Sequence, residues 1–352
     1  IQEVFDSLGF SDYEIKLTGT YQPQEYVVQF NESDFNFVTR LMEQEGIYYY
    51  FEHTDGKHTF IMADDSSILS DQGNIPFYHA EDTSNQFNIE GISKWENYRK
   101  IKTGGIRLSD FDFETPSKNL EFVSTDPKTA SLSSLEKFTY PGKYKERGMG
   151  SEYTRLLMEK ENVAYETKIA NSNVRTLFSG SHFSLKDHYR DDQNSQYLIT
   201  HYRCNLQSDE FLSNSNQVDS EVFTSEFTAI PSTVVYRTQI TATKPKMVGP
   251  QTAMVVGKAG EEIWTDKYGR VKVHFHWERY GKADENSSCW IRVAQTWAGK
   301  NWGQIQIPRI GQEVLIDFLG GDPDRPIIIG SVYNGTSMPP YDLPANATQS
   351  GI

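Results

Sequence analysis

The stretch Gly269-Arg-Val-Lys-Val-His-Phe-His-Trp-Glu278 alternates apolar and polar side chains without a break. Successive residues of a β-strand point to opposite faces of a sheet, so this alternation predicts a half-buried strand. We expect one face to be directed into a core, and that face carries Val271, Val273, Phe275 and Trp277. The opposite, polar face carries Arg270, Lys272, His274, His276 and Glu278.

Further strands are predicted on both sides of this one. Runs that favour β-structure, separated by Gly and Pro turns, cover residues 252–257, 289–296, 304–308, 312–318 and 326–332. Short strands at such intervals over roughly ninety residues are typical of a small closed β-barrel, and an OB-fold is the preferred candidate. A segment rich in Pro, Gly and Lys, residues 241–250, precedes the barrel and has the composition of a linker.

The N-terminal part of the sequence predicts an α+β unit followed by sheet. A helix is expected from Ser33, its cap, to just before Gly46. Its buried stripe would consist of Phe35, Val38, Leu41 and Met42. Strands at 47–52 and 59–62 flank Asp55-Gly56, which predicts a hairpin turn. From about residue 85 to 240 we expect mostly sheet, with one helix at Met149–Asn162 whose apolar stripe is interrupted by Lys160.

Composition and charge exclude several classes of protein. The 352 residues, 37% hydrophobic and 23% charged, are typical of a globular chain of two or three domains. No apolar run approaches the roughly 18 residues of a membrane span. Ile1 opens the sequence without a start methionine, and we expect a piece of a longer chain. The net charge of -14 arises in residues 1–240, which argues against a phosphate-tracking surface and a nucleic-acid partner.

The sequence lacks the motifs of common active sites, among them G-x-S-x-G, H-E-x-x-H, the P-loop and G-x-G-x-x-G. His274 and His276 would share a strand face and could hold a metal with Glu278. Because no further ligand follows at a recognisable spacing, we interpret the three as a polar row that faces solvent or an interface.

Three carboxylates, Asp110, Asp112 and Glu114, alternate with Phe111 and Phe113. Paired carboxylates perform glycoside hydrolysis, but catalysis requires one of them to be desolvated. The alternation instead predicts an exposed strand face. We therefore expect no catalytic residue, no metal and no cofactor.

Five of the six tryptophans fall within the predicted barrel, namely Trp264, Trp277, Trp290, Trp297 and Trp302. Beside Arg270, Lys272 and Arg292 these rings could stack single-stranded nucleic acid. The near-neutral charge of this part of the chain favours another interpretation, in which the rings fill a small core and a contact between subunits.

Several segments closely resemble the VgrG family, the valine-glycine repeat proteins of the bacterial type VI secretion system. These segments are 227–231, 249–253, 260–263, 268–277, 284–295, 307–314 and 321–326. The resemblance is dense from about residue 225 to 343. Residues 32–34, 40–46 and 183–200 resemble the hub region of the same family.

The resemblance implies a mainly β fold with some α+β structure. It places a partial, phage-tail-hub-like β-barrel region at 1–240, incomplete at its N-terminus, and an OB-fold at 241–337. Residues 338–352 would form a linker towards an absent β-prism stem. Residues expected to build the OB-fold core and turns are Val271, Val273, Phe275, Trp277, Trp290, Pro308, Gly311, Gly321, Asp322 and Pro323.

The function that the resemblance implies is structural and not enzymatic. Family members form homotrimeric spikes on a tube of Hcp rings, contact baseplate components, carry a PAAR tip protein and deliver effector proteins. They pass from the bacterial cytoplasm into a target cell or the medium. Two alternatives stay open from the residues, an OB-fold that binds single-stranded nucleic acid and an envelope hydrolase acting on peptidoglycan.

Overall fold

A computed structural model of the chain describes residues 1–78, 90–126, 134–206 and 223–351. The chain forms two compact units. The first consists of Ile1–Thr20 with Val38–Thr241, and the second of Tyr21–Phe37 with Ala242–Ile352. Within the described ranges, no helix combines the length and the apolar character needed to cross a bilayer.

Both predicted helices are confirmed, as α2 and α3, and a short helix precedes them. Their bounds are α1 Gln2–Ser7, α2 Asp34–Glu45 and α3 Arg147–Val163. The Ser33 hydroxyl caps α2 by accepting a hydrogen bond from the Asn36 amide at 3.2 Å. Val38 and Met42 are buried as expected and Leu41 is partly buried, but Phe35, in the first turn of the helix, is 55% exposed.

Twelve strands are described in the first unit. They are β1 Tyr13–Lys16, β2 Tyr48–Thr54, β3 Lys57–Ala63, β4 Asp71–Pro76, β5 Ile92–Arg99, β6 Gly105–Ser109, β7 Glu121–Thr125, β8 Glu136–Thr139, β9 Glu166–Ser172, β10 His182–Lys186, β11 Gln196–Leu206 and β12 Phe223–Pro231. Short 3-10 turns cover Ser66–Ile68 and Asp191–Gln193. Residues 85–89, 127–133 and 207–222, which belong to the region predicted as mostly sheet, lie outside the described residues.

The predicted hairpin is confirmed as β2 and β3, which pair antiparallel with Tyr48 opposite Ala63 and Thr54 opposite Lys57. Gly56 in the turn has a φ of +71°, a left-handed conformation that glycine adopts without steric cost. Strand β1 adds in parallel to β3 and completes a three-stranded sheet in the order β1-β3-β2.

The largest sheet of the first unit has six strands in the order β4-β10-β11-β12-β9-β5. A bridge between Phe77, just after β4, and Ile92, the first residue of β5, joins its two edge strands, so the sheet curls onto itself. Aromatic and aliphatic side chains such as Phe183, Tyr197 and Phe227 fill the interior. A third sheet, in the order β7-β6-β8, packs against α3 around Leu156 and Tyr153.

The second unit contains seven strands. They are β13 Gln251–Val256, β14 Lys272–Phe275, β15 Arg292–Val293, β16 Ala298–Gly299, β17 Trp302–Gly303, β18 Glu313–Phe318 and β19 Pro326–Val332. Five of them form a sheet in the order β14-β13-β18-β19-β15. An antiparallel bridge between Val271 and Ile291, with hydrogen bonds of 3.0 and 2.8 Å, links the two edges. The five-stranded barrel expected from the sequence is therefore closed.

Three of the predicted strands differ from the structure. The strand expected to reach Glu278 ends at Phe275, because the Glu278 amide donates to the Phe275 carbonyl at 3.0 Å and closes a turn. The strand expected at 289–296 is paired only at Arg292–Val293. The strand expected at 304–308 is absent, since the Gln295 side-chain amide bonds both the amide and the carbonyl of Gln306, at 2.9 and 3.1 Å, in place of a neighbouring strand.

Candidate functional site

The side chains expected in the barrel core lie on the inner face of β14 and beside it. Val271, Val273 and Phe275 are at most 1% exposed. Trp277 follows the strand in a turn and is partly buried, with its ring stacked on Phe275 at 4.7 Å and edge-on to Phe30 at 5.4 Å. The apolar half of the opening motif thus packs as a continuous aromatic and aliphatic layer.

Trp290 lies outside this layer, although it was expected in the core or its turns. Its ring stacks on Trp264 at a centroid distance of 6.2 Å. The Lys272 ammonium lies 5.2 Å from the Trp290 ring and donates to the Glu285 carbonyl at 2.6 Å. This geometry is a cation–π contact that covers the ring with a basic side chain.

The turn residues of the barrel fall into two places. Gly311 has a φ of +85°, and its amide donates to the Val255 carbonyl at 2.9 Å. Pro308 is buried a few residues earlier in the same loop. Gly321 has a φ of +73° at the end of the 3-10 turn Leu319–Gly321.

An ion pair between Lys244 and Asp322 stabilises the turn that follows Gly321. The Lys244 ammonium lies 2.5 Å from the Asp322 carboxylate and also contacts Asp324. Asp324 in turn accepts a hydrogen bond from the Val28 amide at 2.8 Å. Pro323, between the two aspartates, is buried. The turn at Gly321–Pro323 therefore ties two distant parts of the second unit to the barrel.

Two of the five tryptophans are exposed on a small hairpin. Strands β16 and β17 pair Ala298 with Gly303, and the rings of Trp297 and Trp302 meet edge to face at 5.2 Å. Trp297 is 65% and Trp302 57% exposed, and the neighbouring Ile305 is 72% exposed. We call these three residues the aromatic hairpin patch. Exposed clusters of large apolar side chains often mark surfaces of interaction.

Two of the basic residues considered for nucleic-acid binding, Arg270 and Lys272, have partners within the second unit. Arg270, which was expected on the exposed face of the strand, is buried because its guanidinium pairs with the Asp266 carboxylate at 2.7 Å. Burial acts to raise the pKa of Asp266, but hydrogen bonds from Arg270 and Tyr268 outweigh it and lower the pKa. This part of the unit is not the row of solvated cations that tracks phosphates.

The three candidate metal ligands do not converge. His274 contacts the Glu278 carboxylate through Nδ1 at 2.7 Å, whereas His276 contacts the Thr252 hydroxyl through Nε2 at 3.1 Å. The prediction that they share one strand face is wrong, because the strand ends at Phe275 and His276 lies in the following turn. In the described ranges, no group of three or more His, Cys, Asp or Glu side chains could hold a metal ion.

The carboxylates Asp110, Asp112 and Glu114 follow β6 in a turn, so the predicted strand face is also wrong. Asp112 is buried, and its carboxylate accepts hydrogen bonds from the Thr115 hydroxyl at 2.7 Å and the Glu114 amide at 3.0 Å. Burial alone would raise the pKa of Asp112, but these bonds outweigh it and lower the pKa. Such a carboxylate shapes a turn and is a poor proton donor at neutral pH.

The first unit contains a buried polar cluster that was not predicted from the sequence. The Arg237 guanidinium pairs with the Glu159 carboxylate at 2.8 Å and donates to the carbonyls of Gly46 and Asp64 at 3.2 and 2.5 Å. The Lys160 ammonium donates to the Glu43 carbonyl. The interruption of the α3 stripe by Lys160 was the one sequence signal of this cluster.

The segment after β12 is held to α2 and α3 by the same cluster. The Glu43 carboxylate accepts from the Thr241 amide at 3.0 Å and from its hydroxyl at 2.7 Å, while the Gln239 side chain donates to the Lys160 carbonyl at 2.8 Å. Burial lowers the pKa of Lys160 to about 8. A cavity of about 260 Å³ borders Glu43 and Thr241.

Family models match both parts of the chain. The model of the phage tail baseplate hub (GPD) matches residues 1–209. The model of the type VI secretion system/phage-baseplate injector OB domain matches residues 253–333.

Relatives with curated names match the full length of the chain. It is 44% identical to the Pseudomonas aeruginosa type VI secretion system spike protein VgrG1b and 43% identical to VgrG1a, over 100% of the chain and 48% and 55% of those proteins. It is 34% identical to the Vibrio cholerae actin cross-linking toxin VgrG1, over 99% of the chain and 32% of that protein. The chain thus spans about half the length of the first two relatives.

Solved structures share the fold. The Escherichia coli c3393 protein, a type VI secretion component described as similar to bacteriophage T4 tail proteins, aligns with a TM-score of 0.58 at 18% identity, over 91% of this chain and 66% of that one. A Francisella PdpA–VgrG complex aligns with a TM-score of 0.55 at 10% identity, over 95% and 58% of the two chains. At these identities the similarity concerns the fold alone.

Proposed function

Because the chain belongs to the VgrG family of type VI secretion spike proteins, we propose that it forms the hub and OB-fold part of a structural spike that delivers effector proteins. The observation that carries the proposal is the 43–44% identity to two spike proteins along the whole chain. The matched family models describe baseplate and injector domains and give no support to a nucleic-acid-binding protein or a peptidoglycan hydrolase.

We propose a division into a hub region at 1–240, an OB-fold at 241–337 and a linker at 338–352. The two family models match on either side of Thr241, where the main boundary between the two compact units falls. The hub region so defined includes one segment, Tyr21–Phe37, that belongs to the second compact unit.

The part of the spike formed by this chain acts, in this proposal, without catalysis. The carboxylates and histidines considered for a site are bound by neighbouring side chains, as Asp112 is by Thr115 and His274 by Glu278. A structural projectile requires rigid sheets and continuous interfaces. It does not require a pocket with a tuned pKa.

The partners proposed for the intact protein are an Hcp tube, baseplate components, a PAAR tip protein and effectors. One solved neighbour is a complex of a VgrG with PdpA, and one relative is named as a toxin, which supports the carriage of effector proteins. The protein would assemble in the bacterial cytoplasm and pass into a target cell or the medium on firing.

Export of Hcp tests the spike function. In a strain whose other VgrG genes have been deleted, removal of the gene for this protein should abolish the release of Hcp into the medium. The full-length gene should restore that release. If Hcp release were undiminished after the removal, the proposed function would be wrong.

We also propose that three copies assemble through the barrel unit, with the aromatic hairpin patch in the contact. Its rings are more than half exposed, and aromatic side chains are enriched at subunit contacts. Light scattering at high concentration should give about three times the chain mass of 40.3 kDa. Trp302→Asp should shift the mass towards the monomer, whereas Lys300→Asp, at the exposed tip of the same hairpin, should not. Monomers at every concentration would contradict this interface.

A further inference from the structure

The tip of the β2–β3 hairpin carries two histidines in direct contact. His53 on β2 lies opposite His58 on β3, one residue pair before the Asp55-Gly56 turn. Their Nδ1 atoms are 2.6 Å apart, and their ring centroids are 4.8 Å apart with the planes at 73°. Both side chains are exposed. Directly opposite residues in an antiparallel pair have their Cβ atoms about 5 Å apart, which explains why the rings meet.

The contact brings two ring nitrogens that can each act as a metal ligand to one point in space. At 2.6 Å one Nδ1 must carry a hydrogen and donate it to the other, since two bare lone pairs would repel. A metal cation at this point can bind both Nδ1 atoms once that hydrogen has moved, by exchange with solvent, to Nε2 of the same ring, so that both imidazoles stay neutral. We propose that His53 and His58 form a binding site for a borderline transition-metal ion such as Zn²⁺.

The geometry requires only a small movement. Zinc binds imidazole nitrogen at about 2.0–2.1 Å, which at a tetrahedral angle places two such nitrogens about 3.3 Å apart. The two Nδ1 atoms, now 2.6 Å apart, would separate by about 0.7 Å. Exposed side chains at a hairpin tip make this change by small rotations about χ1 and χ2. Phe51, stacked on the His53 ring at 6.2 Å, limits the rotation of that ring.

The ligand set determines which ions fit. Imidazole suits zinc, copper and nickel, whereas magnesium and calcium prefer oxygen ligands. In the part of the chain that the structure describes, no third His, Cys, Asp or Glu completes the set. Water, or a side chain of another protein, would fill the remaining positions, as in zinc sites that keep an open coordination position.

Calorimetric titration with Zn²⁺ tests the site. We compare the unaltered chain with His53→Gln and His58→Gln, which keep a polar side chain but remove the ligating nitrogen. The matched control is His201→Gln, which removes another exposed strand histidine whose Nδ1 contacts the Thr200 hydroxyl. Circular dichroism of each variant checks that the fold is retained.

We expect one zinc ion whose affinity falls at least tenfold in each of the two hairpin variants and is unchanged in the control. The proposal is overturned if the unaltered chain takes up no zinc. It is also overturned if binding survives unchanged in His53→Gln or His58→Gln, or if His201→Gln weakens binding as much as they do.

Discussion

Arg237 offers the sharpest test of what holds the first unit together. Its side chain is 10% exposed, and its guanidinium binds the Glu159 carboxylate and two backbone carbonyls, those of Gly46 and Asp64. Substitution by methionine keeps much of the side-chain volume but removes every donor. The carboxylate and both carbonyls would then lose this partner inside the protein.

The expected loss of stability follows from the burial of the Arg237–Glu159 ion pair. Removing one partner of a buried ion pair destabilises a protein by about 3–5 kcal/mol. We expect a loss in this range because two buried carbonyls also lose their donor, although Glu159 keeps its second partner. Arg155 provides a matched control, since it pairs with the same Glu159 but its side chain is 48% exposed. Exposed pairs contribute about 0–1 kcal/mol, so Arg155→Met should have little effect.

Hydrogen exchange of amides in α3 measures this difference within one part of the chain. Because 1.4 kcal/mol corresponds to a tenfold change in the opening equilibrium, Arg237→Met should speed amide exchange by about one hundred to a few thousand fold. Arg155→Met should speed it by less than about fivefold. Exchange at the unaltered rate in Arg237→Met, or an equal acceleration in both variants, would refute the assignment of stability to this buried pair.

Three further predictions concern stability. Gly46→Ala should lower the melting temperature of the first unit more than Gly56→Ala. Both glycines have a φ above +70°, but only at Gly46 would the new Cβ meet a neighbour, Leu156 at 2.8 Å. Equal losses of melting temperature would contradict this steric cause. Phe275→Ala should lower the free energy of unfolding by about 3–5 kcal/mol, and Lys272→Ala on the opposite face should lower it much less. Urea unfolding followed by the fluorescence of the barrel tryptophans measures both losses. The reverse order would mean that the inner face is wrongly assigned. Burial lowers the pKa of Lys160 from 10.5 to about 8. Between these pH values the unfolded chain therefore binds more protons than the folded chain, and the free energy of unfolding should rise from pH 8 to 10.5. Calorimetry should show that Lys160→Met lacks this rise, and an identical rise in both proteins would exclude Lys160 as its source.

Local patterns were sufficient to predict much of the fold. Helix α2 has a cap, an apolar stripe and a terminal glycine, all within sixteen residues. The turn of the β2–β3 hairpin lies between an aromatic strand and a strand with an apolar end. The alternation around Val273 identified the inner face of the barrel. Each of these signals arises from residues close in sequence, where propensity and periodicity act.

The remaining features depend on partners that are distant in sequence or on turns that interrupt a pattern. Arg237 is buried because of carbonyls at Gly46 and Asp64, which no spacing reveals. Asp112 lies in a turn although its neighbours alternate as in a strand. Gln306 is satisfied by the side chain of Gln295, so a run predicted as a strand needs no neighbouring strand. The contact between His53 and His58 depends on register, which the turn determines.

The number of backbone pairs between neighbouring strands differs around the barrel, so its resistance to force should differ from strand to strand. Strands β18 and β19 pair through six residue pairs, whereas β15 pairs with β19 through two and meets the other edge only through the Val271–Ile291 bridge. Under a pulling force, bonds that share the load in parallel resist together, so the barrel should yield first where β15 is attached. In the trimer that we propose, a neighbouring subunit that covered the attachment of β15 would protect the barrel at its weakest point.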